Sequence, residues 1–265
     1  MFDTHCHLQD DRISARAGEI VAAANRAGVT SMLCCGSGVE DWGDVERIGA
    51  AYADGGVIRA YGVHPFHIKS ADLDNNNWTD ELSRRLADDP SAAVGEIGLD
   101  HAVSPRDDDK QAEVFARQLK IAEQYKRPVS IHCRKAFGAM LNILRDNGGL
   151  KFGGAVHSYS GPPELINELV ELGCHISFSG SILIPNNKRA TASLKKVPRN
   201  RLLIETDSPD ILPYGAAGQF NEPANLSLIL NKAAEILEES PRKIAELTHE
   251  NGCGLYHLTN NILAL

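Results

Sequence analysis

Several features are missing from this sequence, and each absence excludes something. No apolar run approaches the length of a membrane-spanning helix, and no charged segment followed by an apolar stretch stands at the start. Neither a membrane span nor a signal peptide is expected, so the expected compartment is the cytoplasm. Positive charge is scarce: 27 Lys and Arg stand against 35 Asp and Glu, a formal net charge of −8. Such a surface does not coat a phosphate backbone, although a metal-centred contact with one phosphate stays open. The cysteines (Cys6, Cys34, Cys35, Cys133, Cys174 and Cys253) form no C-x-x-C pair. Buried thiols in a reducing compartment are expected in place of thiolate–zinc sites. No G-x-G-x-x-G turn follows the first strand-like run, which disfavours a doubly wound dinucleotide fold. No serine sits in a G-x-S-x-G elbow, which leaves serine-hydrolase chemistry without support. Linkers, repeats and low-complexity segments are absent, and no obligate protein partner is evident.

What is present is alternation. Short apolar or β-branched runs recur as MFDTHC, VTSMLCCG, VIRAYGV, AAVGEIGL, PVSIHC, GGAVHS, CHISFSG and RLLIET. Helical patterns lie between them. In ARAGEIVAAANRAG, Ala17, Ile20, Val21 and Ala24 share one face and Gly28 stands just past the end. In QAEVFARQLKIAEQYKRP, Val114, Phe115, Leu119 and Ala122 do the same, and Asp107 to Asp109 supply an acidic helix start. Eight strands alternating with helices predict a parallel sheet. At this length, close to the roughly 250 residues typical of the architecture, they predict an α/β fold of the (β/α)₈ TIM-barrel type, a single domain over residues 1–265. Trp42 and Trp78 fall in helical segments that read as surface and are not expected to form a base-stacking platform.

Polar residues cluster at the strand ends: His5 and His7, His64, Glu96 and Asp100, His132, His157, then Glu205 and Asp207. In a barrel these ends meet at the C-terminal mouth, where barrel enzymes carry their sites. In a regular strand His5 and His7, two apart, face the same way. Imidazoles with two carboxylates suit one or two divalent ions, with Zn²⁺, Mg²⁺ or Mn²⁺ all compatible with the donor set. Two ions about 3.5–4 Å apart can share a bridging carboxylate and hold a hydroxide for attack on phosphorus or a carbonyl. Glu96 is the expected bridge and Asp207 the expected general base.

FDTHCHL, GVHP, GEIGLD, QAEVFARQL, PVSIHCRKA, AVHSYSG, ISFSG, ETDSP and NEPANL, in this order, resemble the successive motifs of TatD-type metal-dependent hydrolases of the amidohydrolase superfamily. The resemblance spans nearly the whole chain. It implies a (β/α)₈ barrel and the metal ligands His5, His7, Glu96, His132, His157 and Asp207. It also implies a phosphodiesterase or deoxyribonuclease activity, with DNA or a small phosphate ester as partner. His64, Arg134 and Glu222 are the expected substrate contacts. Three departures stand out. His101 follows G-L-D where Tyr is common, Lys135 replaces the acid after Arg134, and Gln219-Phe220 replace a basic pair before N-E-P. Loss of that pair weakens the nuclease expectation. It keeps open hydrolysis of a carbon ester, lactone or amide, and a non-catalytic metal-binding role. Asp100 is read as a partner of a ligand histidine or as a cap of the following turn.

Overall fold

A computed structural model describes residues 1–68 and 77–258. Eight parallel strands form one sheet in chain order: β1 (Phe2–Cys6), β2 (Ser31–Cys35), β3 (Val57–Tyr61), β4 (Ala93–Asp100), β5 (Val129–Arg134), β6 (Gly154–Val156), β7 (Cys174–Phe178) and β8 (Leu202–Ile204). The ends of the sheet meet. The Asp207 N–H donates to the His5 carbonyl at 2.9 Å and the His7 N–H to the Ser208 carbonyl at 2.6 Å, so the barrel is nearly closed. Helices α1 (Ala17–Arg26), α2 (Trp42–Ala51), α3 (Asn77–Asp88), α4 (Asp108–Gln124), α5 (Phe137–Asp146), α6 (Ile166–Glu171) and α7 (Lys188–Lys196) connect successive strands. After β8 come α8 (Leu226–Leu237) and α9 (Pro241–Leu255). This is the predicted (β/α)₈ architecture.

Side-chain alternation sorts the core into two clusters. Met32 and Cys34 of β2 join the larger one, packed between sheet and helices. Leu33 and Cys35 point the other way and join Phe2, Ala60, Ala93, Ala155 and Leu203 with Cys253, Leu255 and Tyr256 from the end of α9. Both tryptophans depart from the surface expectation. Trp42 is fully buried and its indole N–H donates to the Gly62 carbonyl at 2.9 Å, while Trp78 is buried in the stripe it shares with Leu82 and Leu86. Their segments read as polar because the outward faces of α2 and α3 carry the charge, leaving one inner stripe for the indoles. At the start of α4 the Asp107 side chain accepts the Lys110 N–H, as its acidic run predicts.

Candidate metal centre

Two strands bulge where they carry site residues. The β1–β2 register slips between Asp3 and Cys6, around His5, and the β4–β5 register slips between Val94 and Ile97, around Glu96. A bulge bends the strand and re-aims a side chain, so both residues turn into the mouth. β1 ends at Cys6, yet His7 still joins His5, with Nε2 atoms 3.1 Å apart. Gly98 lets β4 pass β5 closely: its φ is +140°, and a Cβ there would lie 2.0 Å from the His132 carbonyl oxygen. Asp207 takes the left-handed conformation at φ +58°, a strain of about 1 kcal/mol or more held by the turn in which Asp210 N–H donates to its carbonyl.

Five imidazoles converge on the buried Glu96. Its Oε2 lies 3.3 Å from both His5 Nε2 and His7 Nε2. Its Oε1 lies 2.9 Å from both His132 Nδ1 and His157 Nε2. Each oxygen thus faces its own pair of imidazoles. Asp207 Oδ1 sits 3.8 Å from the Nε2 atoms of His5 and His7, on the cavity side. His64 Nε2 approaches Glu96 Oε1 at 3.4 Å.

The outer nitrogens decide what the inner ones offer. His7 Nδ1 lies 2.8 Å from the Cys35 carbonyl, His132 Nε2 3.1 Å from Asp100 Oδ2, and His157 Nδ1 3.3 Å from Glu205 Oε1. A carbonyl or an ionised carboxylate only accepts, so the outer nitrogens of His7 and His132 carry the proton and their inner ones present lone pairs, while His157 Nδ1 faces the Glu205 carboxylate without a hydrogen bond. His5 Nδ1 rests on the Ser130 hydroxyl at 2.8 Å. Lone pairs aimed at carboxylate oxygens repel unless a cation lies between. With protons as the only cations, the site binds them tightly. Burial pushes His7 down, but Glu96 and Asp207 overcome it and raise His7 to about 9. The same balance raises His132 and His157. Glu96 is pushed up by burial, yet the imidazoles of His64, His157 and His5 hold it well below the usual carboxylate range. This donor set fits divalent ions: buried nitrogen and oxygen ligands with their outer atoms fixed by accepting partners. Three ligand triads, His5–Glu96–His157, His5–His7–Asp207 and His64–Glu96–His132, bring their donor atoms within 4.8 Å of one another.

His64 is different. Its Nδ1 accepts the Phe66 backbone N–H at 3.1 Å, so the proton sits on Nε2 and points inward. Burial drives its pKa down to about 3 against the pull of Glu96, leaving a neutral donor. The other expected substrate contacts lie farther out. Arg134 is exposed, its Nη1 3.9 Å from Asp100, and it lines a second cavity beside the cluster. Glu222 pairs with Arg16 at 3.2 Å and lines neither cavity at the mouth. Asp100 plays both parts expected of it, since its Oδ1 also accepts the Ala102 N–H at 2.7 Å. The role of Glu205 was not anticipated. It is fully buried and accepts the Ser158 N–H while facing His157, and a lone acid ending the apolar run RLLIE was the available signal.

The profile of the TatD related DNase family matches residues 2–257. The chain belongs to this TatD family. A metal-dependent hydrolase of Bacillus subtilis, YabD, is 30% identical over 97% of this chain and 99% of its own. The 3'-5' ssDNA/RNA exonuclease TatD of Edwardsiella piscicida is 29% identical over 97% of this chain and 100% of its own. The crystal structure of YJJV, a TatD homologue from Escherichia coli, superposes with a TM-score of 0.91 at 28% identity, covering 98% of both chains. These likenesses place the chain among the TatD-type metal-dependent hydrolases. Among the described residues no helix is long and apolar enough to cross a membrane.

Proposed function

We propose that this TatD-family protein is a phosphodiesterase acting on nucleic acid, with Glu96 between two divalent-ion positions and Asp207 as general base. The observation that carries the reading is the division of the Glu96 oxygens between the His5/His7 pair and the His132/His157 pair, with the outer nitrogens committed. A divalent ion held there would supply Lewis acidity and lower the pKa of bound water. The chain's own groups do the rest. Asp207 stands where two cavities meet and accepts the proton of the attacking water, later returning it to the leaving oxygen. His64, neutral with Nε2–H inward, donates to a phosphoryl oxygen as charge builds on it. Asp100 and the Cys35 carbonyl hold His132 and His7 in one tautomer and orientation, and the Glu205 carboxylate faces His157 at 3.3 Å. The name of the Edwardsiella relative supports single-stranded nucleic acid as the substrate class.

The test is hydrolysis of a generic phosphodiester by metal-stripped protein after separate addition of Mg²⁺, Mn²⁺ and Zn²⁺. Asp207→Asn should lose about 10²- to 10⁴-fold in turnover, the range of a positioned acid–base group. Turnover of carbon esters but of no phosphodiester under any metal would overturn the reading.

A further inference from the structure

The mouth of the barrel is divided in two by the metal centre. One lobe, a cavity of about 370 Å³, is bounded by Phe66, His64, Arg12, Asp10 and Asp210 beside Glu96 and Asp207. The other, of about 230 Å³, is bounded by Arg134, Ser158, Ser160, Ser181 and Ile211. His132, His157 and Asp207 border both.

The two lobes differ in chemistry. In the first, Phe66 is 53% exposed and presents a ring face at the rim beside the charged groups. It is held in place: its ring meets His64 edge-on with centroids 4.5 Å apart, and its backbone N–H bonds to His64 Nδ1. Among the described residues, the guanidinium in this lobe is already paired. Arg12 reaches Asp10 at 2.7 Å and Asp210 at 2.8 Å, with its guanidinium 5.7 Å over the Phe220 ring. Away from the metal centre, one guanidinium between two carboxylates leaves this stretch of the rim net negative, which disfavours a terminal phosphate and tolerates a hydroxyl. The second lobe has hydroxyls and the exposed Arg134, which suit a phosphate backbone. The first lobe lies near the small end of the roughly 300–1,000 Å³ typical of small-molecule sites, enough for one nucleoside.

Resting on the phosphodiesterase reading, we propose that the Phe66 lobe is a terminal subsite. It holds one unphosphorylated end nucleoside of a single strand, with the base stacked on Phe66, while the rest of the strand leaves past Arg134. The scissile phosphate then lies between the lobes, against Asp207 and His64. Phe66 positions the end base, and the Asp10–Arg12–Asp210 wall rejects a phosphorylated end.

The test compares the protein with Phe66→Ala and Phe66→Trp on three metal-supplied oligonucleotides: one with an ordinary hydroxyl end, one with an abasic end residue and one with a terminal phosphate. Phe66→Ala should lower kcat/KM about 5- to 150-fold on the ordinary end, the equivalent of one lost base–aromatic stack. It should lower kcat/KM much less on the abasic substrate, where only the ring's contact with His64 is lost, and Phe66→Trp should restore the ordinary end. The terminal phosphate should slow the unaltered protein. Binding supplies a second readout. In the Asp207→Asn background a terminal 2-aminopurine should be quenched, and that quenching should vanish when Phe66→Ala is added. Equal losses on ordinary and abasic ends, or unchanged quenching, would overturn the subsite while generic phosphodiester turnover kept the parent reading intact. No turnover of any phosphodiester would remove both.

Discussion

Asp100 offers the sharpest check on how the metal centre is held. Its two oxygens do separate work: Oδ2 accepts from His132 Nε2 at 3.1 Å and Oδ1 accepts from the Ala102 N–H at 2.7 Å. Burial pushes this carboxyl up, but His132 and the Ala102 N–H more than offset that and hold it below its ordinary value, so it works as an anion. Asparagine has only one accepting oxygen. If that oxygen serves Ala102, the amide NH₂ faces His132, and the imidazole must present a lone pair there and move its proton to Nδ1. Nδ1, 2.9 Å from Glu96 Oε1, would then carry a proton where a ligand lone pair is needed. Asp100→Asn should therefore be nearly as damaging as Asp100→Ala, although it is almost isosteric. Loss of such an outer partner typically weakens a metal site about 10- to 100-fold, or roughly 1.4–2.7 kcal/mol. Titration calorimetry with Zn²⁺ and Mn²⁺ should show the weakening in the event assigned to the His132 side and leave the His5/His7 side near its original affinity. Unchanged affinity at both positions in both variants, with melting curves showing a folded protein, would refute the tautomer argument.

Three further outcomes follow from the same geometry. Because His7 is raised to about 9 and His157 well above its ordinary value, both imidazoles of the metal-free site hold protons at neutral pH, with His132 shifted the same way and His5 pushed down by burial. Ion binding must release protons, so affinity should climb with pH up to about 9; calorimetry at pH 7 in buffers of different ionisation enthalpy would show this, and buffer-independent heats would contradict it. The raised His7 also contributes stability to the metal-free protein that is complete below its ordinary 6.5 and lost as pH rises through about 9, so metal-free melting temperatures should fall across that window. Gly98→Ala combines a disfavoured φ with a Cβ 2.0 Å from the His132 carbonyl oxygen, and should cost about 2–5 kcal/mol. Melting within about 2 °C of the unaltered protein would mean that β5 gives way freely, since 1 kcal/mol shifts a chain of this size by roughly 2–4 °C.

The barrel was legible because strand and helix patterns alternate without interruption, and the site was legible because its polar residues stand at strand ends. Two kinds of information were not on the surface of the sequence. The first is backbone chemistry. The Cys35 carbonyl fixes the His7 tautomer, yet a carbonyl leaves no mark in a sequence, and Cys35 itself reads only as an apolar strand residue. The second is pairing across distance. Glu222 sits in a motif beside the last strand, yet its carboxylate meets Arg16, a residue 206 positions away. Likewise the missing basic pair at Gln219-Phe220 read as a lost cation. The fold supplies Arg12 over Phe220 and then spends its charge on Asp10 and Asp210, which spacing alone does not reveal.

The rule that first singled out His5 and His7 also needs restating in physical terms. Alternation places residues two apart on one side only in a regular strand, but β1 slips register at His5 and ends at Cys6, before His7. The two Nε2 atoms meet where β1 loses register with β2, and the His7 N–H pairs with the Ser208 carbonyl on the β8 side that closes the barrel. Glu96 repeats the device: β4 slips at the same point, and the Glu96 N–H donates to the Gly36 carbonyl at 2.8 Å beyond the end of β2. A regular parallel strand sends alternate side chains straight into the barrel, where they fill layers and stop. Here both strands break step at the mouth, so that ligands from β1 and β4 reach one point without filling the interior below. The glycines of G-E-I-G belong to that arrangement as much as the acid does, because a side chain at Gly98 would collide with the strand that carries His132.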